Sequence, residues 1–278
     1  VSVFDAEAEA RLMAATRDIA AEEILPRFRA LDAGEIDTKS APDDLVTIAD
    51  RESERRLEEA VSAILPGAVT FGEEGISEGR TRLADLGDAE LSVVVDPVDG
   101  TWNFANGLSV FGVILAVMER GRTLWGGIYD PIGDDWMVAR RGHGAWSITR
   151  DGRRTALSLA GGAEKVGQAH ALVPAFMFTG DRRRQILTTS ADFARSGNYR
   201  CSAHEYRLLA GGRVDTILTA SLNPWDHSAG ALIVEEAGGV ARLLDGRAYD
   251  PTIRSGNLLT ARNEALWADA ARRFAFLV

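Results

Sequence analysis

Two aspartates three residues apart, in the stretch Asp96-Pro97-Val98-Asp99-Gly100-Thr101, carry the strongest chemical signal in the sequence. Carboxylates this close repel one another and are costly to remove from water. Either one of them holds a proton or a cation sits between them. The chain has one cysteine, Cys201, and four histidines scattered singly, so the donors are oxygens, which suits a hard ion such as Mg²⁺. The alternative is an acidic surface turn with Asp99-Gly100 as its corner.

Further acids stand at the ends of predicted elements. Glu73-Glu74 lies between Gly72 and Gly75 at a predicted strand end, an unusual place for a glutamate pair, whose plain reading is a solvated loop. Asp226, in Pro224-Trp225-Asp226-His227, opens a predicted helix and adds a carboxylate at its N-terminus, with a plain cap as the alternative. Asp50 stands at the predicted N-cap of another helix. Lys39 reads as a solvated loop lysine rather than a catalytic one, Arg182-Arg183-Arg184 as a solvated helix face rather than an anion site, His227 as a surface or core histidine, and Trp225 as core packing rather than substrate stacking.

The elements that must position these residues follow from periodicity. Leu91 to Val95 is a short valine-rich run and reads as a buried strand that delivers Asp96 and Asp99 at its carboxyl end. Pro97 stiffens the turn, and Gly100 lets backbone approach a ligand closely. Residues 5–25 read as a helix and residues 32–47 as a loop. A second helix runs from Asp50 to about Leu65, with Leu57, Ala60, Val61, Ile64 and Leu65 on one face. Ala68 to Phe71 is a short strand. Strands at Val110 to Met118, Leu124 to Tyr129, Trp136 to Ala139 and Ala145 to Thr149 form a meander, with Asp151-Gly152 as a hairpin turn. In the second half, strands near 169–173, 214–218, 241–244 and 257–261 alternate with helices at 182–194, 202–210, 223–236 and from 263. That pattern suggests a mixed sheet covered by helices. A soft boundary near residue 152 gives two halves, 1–152 and 153–278, within a mixed α and β chain.

Composition bounds the function. Of 278 residues, 46% are hydrophobic and 26% charged, with a net charge of −10, as expected of a globular chain. No apolar run reaches the roughly 18 residues that span a bilayer. The acidic, helical amino terminus is unlike a secretory signal, and a single cysteine fits a reducing cytoplasm. The acidity argues against bulk nucleic-acid binding. An acidic protein that takes an anionic substrate needs cations, which again points to metal.

Four stretches align in order: Lys39-Ser40-Ala41-Pro42-Asp43-Asp44-Leu45-Val46-Thr47-Ile48-Ala49-Asp50; Gly72-Glu73-Glu74; Asp96 to Phe104; and Pro224 to Gly230 with Glu235-Glu236-Ala237-Gly238-Gly239. Together they resemble the inositol monophosphatase family, within the lithium-sensitive, metal-dependent sugar phosphatases. The resemblance implies a layered α-β-α-β-α sandwich of the inositol monophosphatase and fructose-1,6-bisphosphatase type, usually a homodimer. It implies Glu73, Asp96, Asp99, Asp226 and the Val98 carbonyl as ligands of two or three Mg²⁺ ions. Mn²⁺ would substitute, and Li⁺ and Ca²⁺ would inhibit. Asp50 and Thr101 would orient the attacking water, and Lys39 is matched in the family by a lysine near the metal site. Asp99, Gly100, Thr101, Trp102, Ser202, Ala203 and Asp226 would meet the substrate, a small phosphorylated metabolite.

The sequence departs from the family pattern at two places that bear on the substrate. Cys201-Ser202-Ala203 stands where the first residue is usually glycine, and Thr219 to Pro224 lacks the acid that accompanies inositol phosphate preference. Inositol-1-phosphate-like esters, histidinol phosphate, sugar bisphosphates and nucleotide 3′-phosphates therefore all stay open. Some members of the family bind transcription or RNA machinery, which gives a second reading as a regulatory partner.

Overall fold

The computed structural model describes residues 4–39 and 44–278. The chain starts with α1 (Ala6–Ile19), capped by Asp5, whose carboxylate accepts the N–H groups of Glu7 and Ala8. A π-helical turn over Ala20–Ile24 and a 3₁₀ turn at Leu25–Arg27 continue it, so the predicted single helix over 5–25 changes pitch before Pro26. The expected loop over 32–47 contains a short antiparallel hairpin, β1 (Ile36–Thr38) and β2 (Leu45–Thr47). The Ser40 to Asp43 part of the first motif lies outside the described residues.

Next comes α2 (Ile48–Ile64). Its N-cap is Thr47, not Asp50; Asp50 occupies the third helical position and closes a capping box by accepting the Thr47 N–H. The sequence favoured Asp50 because an aspartate is a good cap, but Thr47 caps equally well and sits where the chain turns from strand to helix.

Seven strands form the first sheet. They are β3 (Val69–Gly72), β4 (Ser92–Asp99), β5 (Gly112–Glu119), β6 (Arg122–Asp130), β7 (Asp135–Arg140), β8 (Ala145–Ile148) and β9 (Arg154–Ala156), paired in that order. Two short helices interrupt them, α3 (Glu73–Ser77) after β3 and α4 (Thr101–Ala105) after β4. The sheet is a meander from β4 onward, but β3 pairs parallel to β4, which the expected antiparallel sheet did not include. Asp151-Gly152 does turn the β8–β9 hairpin.

The second sheet holds β10 (His170–Leu172), β11 (Arg195–Gly197), β12 (Thr216–Leu218), β13 (Val240–Leu243) and β14 (Leu258–Ala261) in the order β11-β10-β12-β14-β13, parallel at β10 and antiparallel elsewhere. Its helices are α5 (Gly180–Ser190), α6 (Ser202–Ala210), α7 (Pro224–Glu236) and α8 (Glu264–Arg273).

Alternation along the strands sets the layers. Val93, Val95 and Leu115 share a core with Leu12, Leu57 and Val61 of α1 and α2. Val94, Ile114 and Ala116 face the other way, onto Tyr206, Ala229 and Leu232 of α6 and α7. The outer side of the second sheet packs Leu259 and Ala261 against Ile186 of α5, Leu266 of α8 and Phe274 just after it. The result is α-β-α-β-α, with α6 and α7 between the sheets. Each fully buried aliphatic or aromatic side chain in these layers contributes about 1.5–3 kcal/mol relative to exposure. Among the described residues no helix is long and apolar enough to cross a membrane.

Candidate active site

The acidic positions meet at the carboxyl end of β4. In an unbroken strand, residues three apart face opposite sides of the sheet. Asp96 and Asp99 do not, because the pairing with β5 skips one residue between them: Asp96 stands opposite Ile114 and Asp99 opposite Gly112. Three steps on β4 match two on β5, a bulge that restores parity and turns both carboxylates toward one region. Gly100 follows at φ +92°, and a Cβ there would lie 2.7 Å from the Val110 carbonyl, so both sterics and conformation require glycine.

Among the described residues, Glu73, Asp96 and Asp226 each offer one carboxylate oxygen, and these oxygens all lie within 4.8 Å of one another. They come from the start of α3, the end of β4 and the first turn of α7. Asp96 is buried and accepts the Val98 N–H at 3.1 Å. Asp226 accepts Asn223 Nδ2 at 3.1 Å and lies at the third position of α7, with Asn223 as the cap. Burial holds Asp96 well above the usual carboxylate range, reinforced by the charges of Glu73, Asp99 and Asp226. Burial does the same for Asp226, with Asp99 and Glu73 adding to it.

Asp99 stands beside this group. Its Oδ2 accepts the Ala203 N–H at 2.5 Å and the Cys201 thiol at 3.0 Å, so β4 is tied to the start of α6. Burial pushes Asp99 up to about 6 against the pull of those donors. Ser202, Gly100, Trp102 and Asp226 share a cleft of about 220 Å³ with Asp99 and Thr101. Trp102 forms part of its wall under the Arg200 guanidinium, 4.5 Å from the ring centre.

Asp50 and Thr101 are joined directly. Thr101 Oγ1 lies 2.9 Å from Asp50 Oδ1 and 3.0 Å from the Val98 carbonyl. The other Asp50 oxygen accepts both the N–H and the hydroxyl of Thr47, at 2.8 and 2.6 Å. Asp50 is 3% exposed, and burial pushes it up to about 6 despite these donors.

Lys39 departs from the plain reading as a solvated loop lysine and stands instead beside the acidic cluster. It is not solvated: its Nζ lies 2.8 Å from Glu73 Oε1 and 2.5 Å from Glu74 Oε1. Burial would lower its pKa, but the two glutamates outweigh it and raise it. Glu74, buried as well, is pushed up to about 7. Trp225 is buried as expected, and His227, read from the sequence as a surface or core histidine, is buried and bonds the Ser221 carbonyl and the Tyr206 hydroxyl. Arg182, Arg183 and Arg184 are exposed.

Sequence reasoning missed two buried acids beside the site. Glu54 accepts the N–H groups that follow Glu73, and Glu205 accepts the Tyr199 N–H at 2.8 Å. Glu54 was findable, since it lies one helical turn after Asp50 on the stripe that continues through Leu57 and Val61. Glu205 had no such signal.

The donor set is all oxygen, converges from three elements and carries more negative charge than nearby cations balance. That fits a hard divalent ion.

The family model described as the inositol monophosphatase family matches residues 6–275. Inositol-1-monophosphatase of Bacillus subtilis is 31% identical over 218 residues, covering 77% of this chain and 78% of that protein. The protein named Nus factor SuhB of Haemophilus influenzae is 31% identical over 239 residues, 82% of each chain. The solved inositol monophosphatase of Zymomonas mobilis superposes with a TM-score of 0.79 over 98% of this chain and 100% of that one, at 24% identity, and so speaks for the fold. With motif order, layered fold and whole-length similarity in agreement, the chain belongs to the inositol monophosphatase family.

Proposed function

We propose that this chain is a Mg²⁺-dependent phosphomonoesterase that hydrolyses a small phosphorylated metabolite to an alcohol and inorganic phosphate. The observation that carries the reading is the convergence of Glu73, Asp96 and Asp226 within 4.8 Å, next to the hydrogen-bonded pair Asp50 and Thr101. An anionic ester would be repelled by these carboxylates unless cations stood among them. Membership of a metal-dependent phosphatase family supports the same chemistry.

Glu73, Asp96, Asp99, Asp226 and the Val98 carbonyl are the groups that would hold Mg²⁺ ions, with Mn²⁺ as a substitute. When bound, the cations supply positive charge to the phosphoryl and leaving oxygens and make water more acidic. The chain's own residues do the rest. Gly100 and Thr101 present backbone N–H groups to the phosphate, and Trp102 and Ser202 line the side where the alcohol half lies. Thr101 Oγ1, its proton directed to Asp50, accepts the proton of the attacking water. The new bond from water oxygen to phosphorus forms as the ester P–O bond breaks; the leaving oxygen takes a proton from solvent water and departs as the alcohol, and the proton taken up by Asp50 returns to solvent.

A panel of esters tests this: inositol 1-phosphate, histidinol phosphate, fructose 1,6-bisphosphate and a nucleoside 3′-phosphate, each with Mg²⁺ and with EDTA. At least one should release phosphate with Mg²⁺ only, and Asp96→Asn should abolish that release while circular dichroism shows a folded chain. Turnover that survives EDTA or the substitution refutes the proposal. The substrate is left to this panel because the cleft has no acid between Thr219 and Pro224 to accept polyol hydroxyls. A second reading, a regulatory partner of the transcription or RNA machinery, draws on relatives named Nus factor SuhB. A pull-down recovering such proteins, with no turnover across the panel, would favour it.

A further inference from the structure

We propose that Glu54 is a positioning residue for the cation site, acting through Glu73; this rests on the phosphatase reading above. Glu54 lies one turn after Asp50 on the same face of α2 and is 0% exposed. Its Oε2 accepts the Glu74 N–H at 2.7 Å and its Oε1 the Gly75 N–H at 2.6 Å. Those are the two peptide groups immediately after Glu73, so the carboxylate fixes the direction in which Glu73 leaves the end of β3.

The contact is close enough to dictate sequence. A Cβ at position 72 would lie 2.2 Å from Glu54 Cδ, and one at position 75 would lie 3.1 Å from Oε1. The glycines flanking Glu73-Glu74 are therefore the space that the Glu54 carboxylate fills. Arg80 Nη2 lies 3.0 Å from Oε1 and holds the carboxylate from the far side. Gln could not replace Glu here, because its amide group would turn a donor toward one of the two N–H groups. Groups that orient metal ligands typically change metal affinity about ten- to a hundredfold when removed.

The experiment is a titration of the full-length chain with Mn²⁺, reading free Mn²⁺ by electron paramagnetic resonance, beside thermal unfolding of the metal-free protein. Glu54→Gln is expected to weaken Mn²⁺ binding at least tenfold. Val61→Ala, on the same helix but in the apolar core, is the control: it should lower Tm and leave Mn²⁺ affinity within twofold of wild type. If Glu54→Gln lowers Tm as the control does and binds Mn²⁺ like wild type, Glu54 is only structural and the proposal is overturned. Should Glu54→Gln not fold, Gly72→Ala carries the same test, because its methyl displaces the carboxylate from the turn. Wild-type protein with no Mn²⁺ affinity would refute the phosphatase reading itself, a result distinct from wild type and variant binding alike.

Discussion

The pairing of Asp50 with Thr101 makes a quantitative prediction. If Thr101 accepts the proton of water only because Asp50 takes its own hydroxyl hydrogen across 2.9 Å, the two act as a unit. Asp50→Asn and Thr101→Val should then each lower kcat by about 10²–10⁴, the range for loss of proton transfer, or about 3–5 kcal/mol in the barrier. Independent residues would multiply, giving about 10⁴–10⁸ in the double variant. A unit predicts that the double variant is no slower than the worse single one, a coupling of about 3–5 kcal/mol. Asp50→Asn carries a second cost that Thr101→Val does not, since Asp50 also holds the Thr47 N–H and hydroxyl. Loss of bonds to a charged acceptor costs about 1.5–3 kcal/mol of stability, so rates must be read at 25 °C, below the lowered Tm. The assay is initial-rate phosphate release at saturating ester and Mg²⁺. Effects that add to within about 0.5 kcal/mol would refute the reasoning.

Two further perturbations test other parts of the structure. In EDTA, Tm should fall between pH 6.5 and 8: Glu74 at about 7, Glu205 at about 8 and the raised Asp96 and Asp226 keep protons in the folded chain that the unfolded chain has lost, so rising pH removes stability. His204 and His227 are both lowered, His227 to about 4, so they act in the opposite sense, but only while the unfolded imidazoles titrate near pH 6.5, at the lower edge of this window, where the acids outweigh them; a differential scanning fluorimetry series in which Tm stays flat or rises would refute the acid-cluster argument, and saturating Mg²⁺ should reduce the slope by the share of Asp96 and Asp226. Separately, Gly126→Ala places a methyl 2.7 Å from the Ala229 Cα, where β6 meets α7 backbone to backbone, and should cost about 1–3 kcal/mol by overpacking, read as a loss of several degrees in Tm with Mn²⁺ affinity retained.

Much of the fold was legible because its signals are local. The stripe Leu57, Val61 and Leu65 specifies one helix, and the valines before Asp96 specify the central strand. The family motifs carry the acidic residues in order, and the structure gathers Glu73, Asp96 and Asp226 from three distant segments. What was not legible depends on partners far along the chain. Lys39 reads as a loop lysine until Glu73 and Glu74 are beside it. β3 cannot be recognised as parallel to β4, because four residues say nothing about which neighbour they find. The short strands β9 and β11 are exposed along their length, so they lack the alternation that marks a half-buried strand. Helix starts were blurred where two good caps, Thr47 and Asp50, stand three residues apart.

The skipped partner between Asp96 and Asp99 limits what the central turn tolerates. Swapping Pro97 or Val98 for another residue changes local stiffness and packing and keeps the skip. Removing one residue removes the need for it, because aspartates two apart already face one side of a regular strand, but the bend that carries the chain into Gly100 goes with it. A library that varies composition between the two aspartates should yield folded, cation-competent proteins, and one that deletes a residue there should keep both carboxylates on one side of β4 yet lose the Asp99 contacts with Cys201 and Ala203.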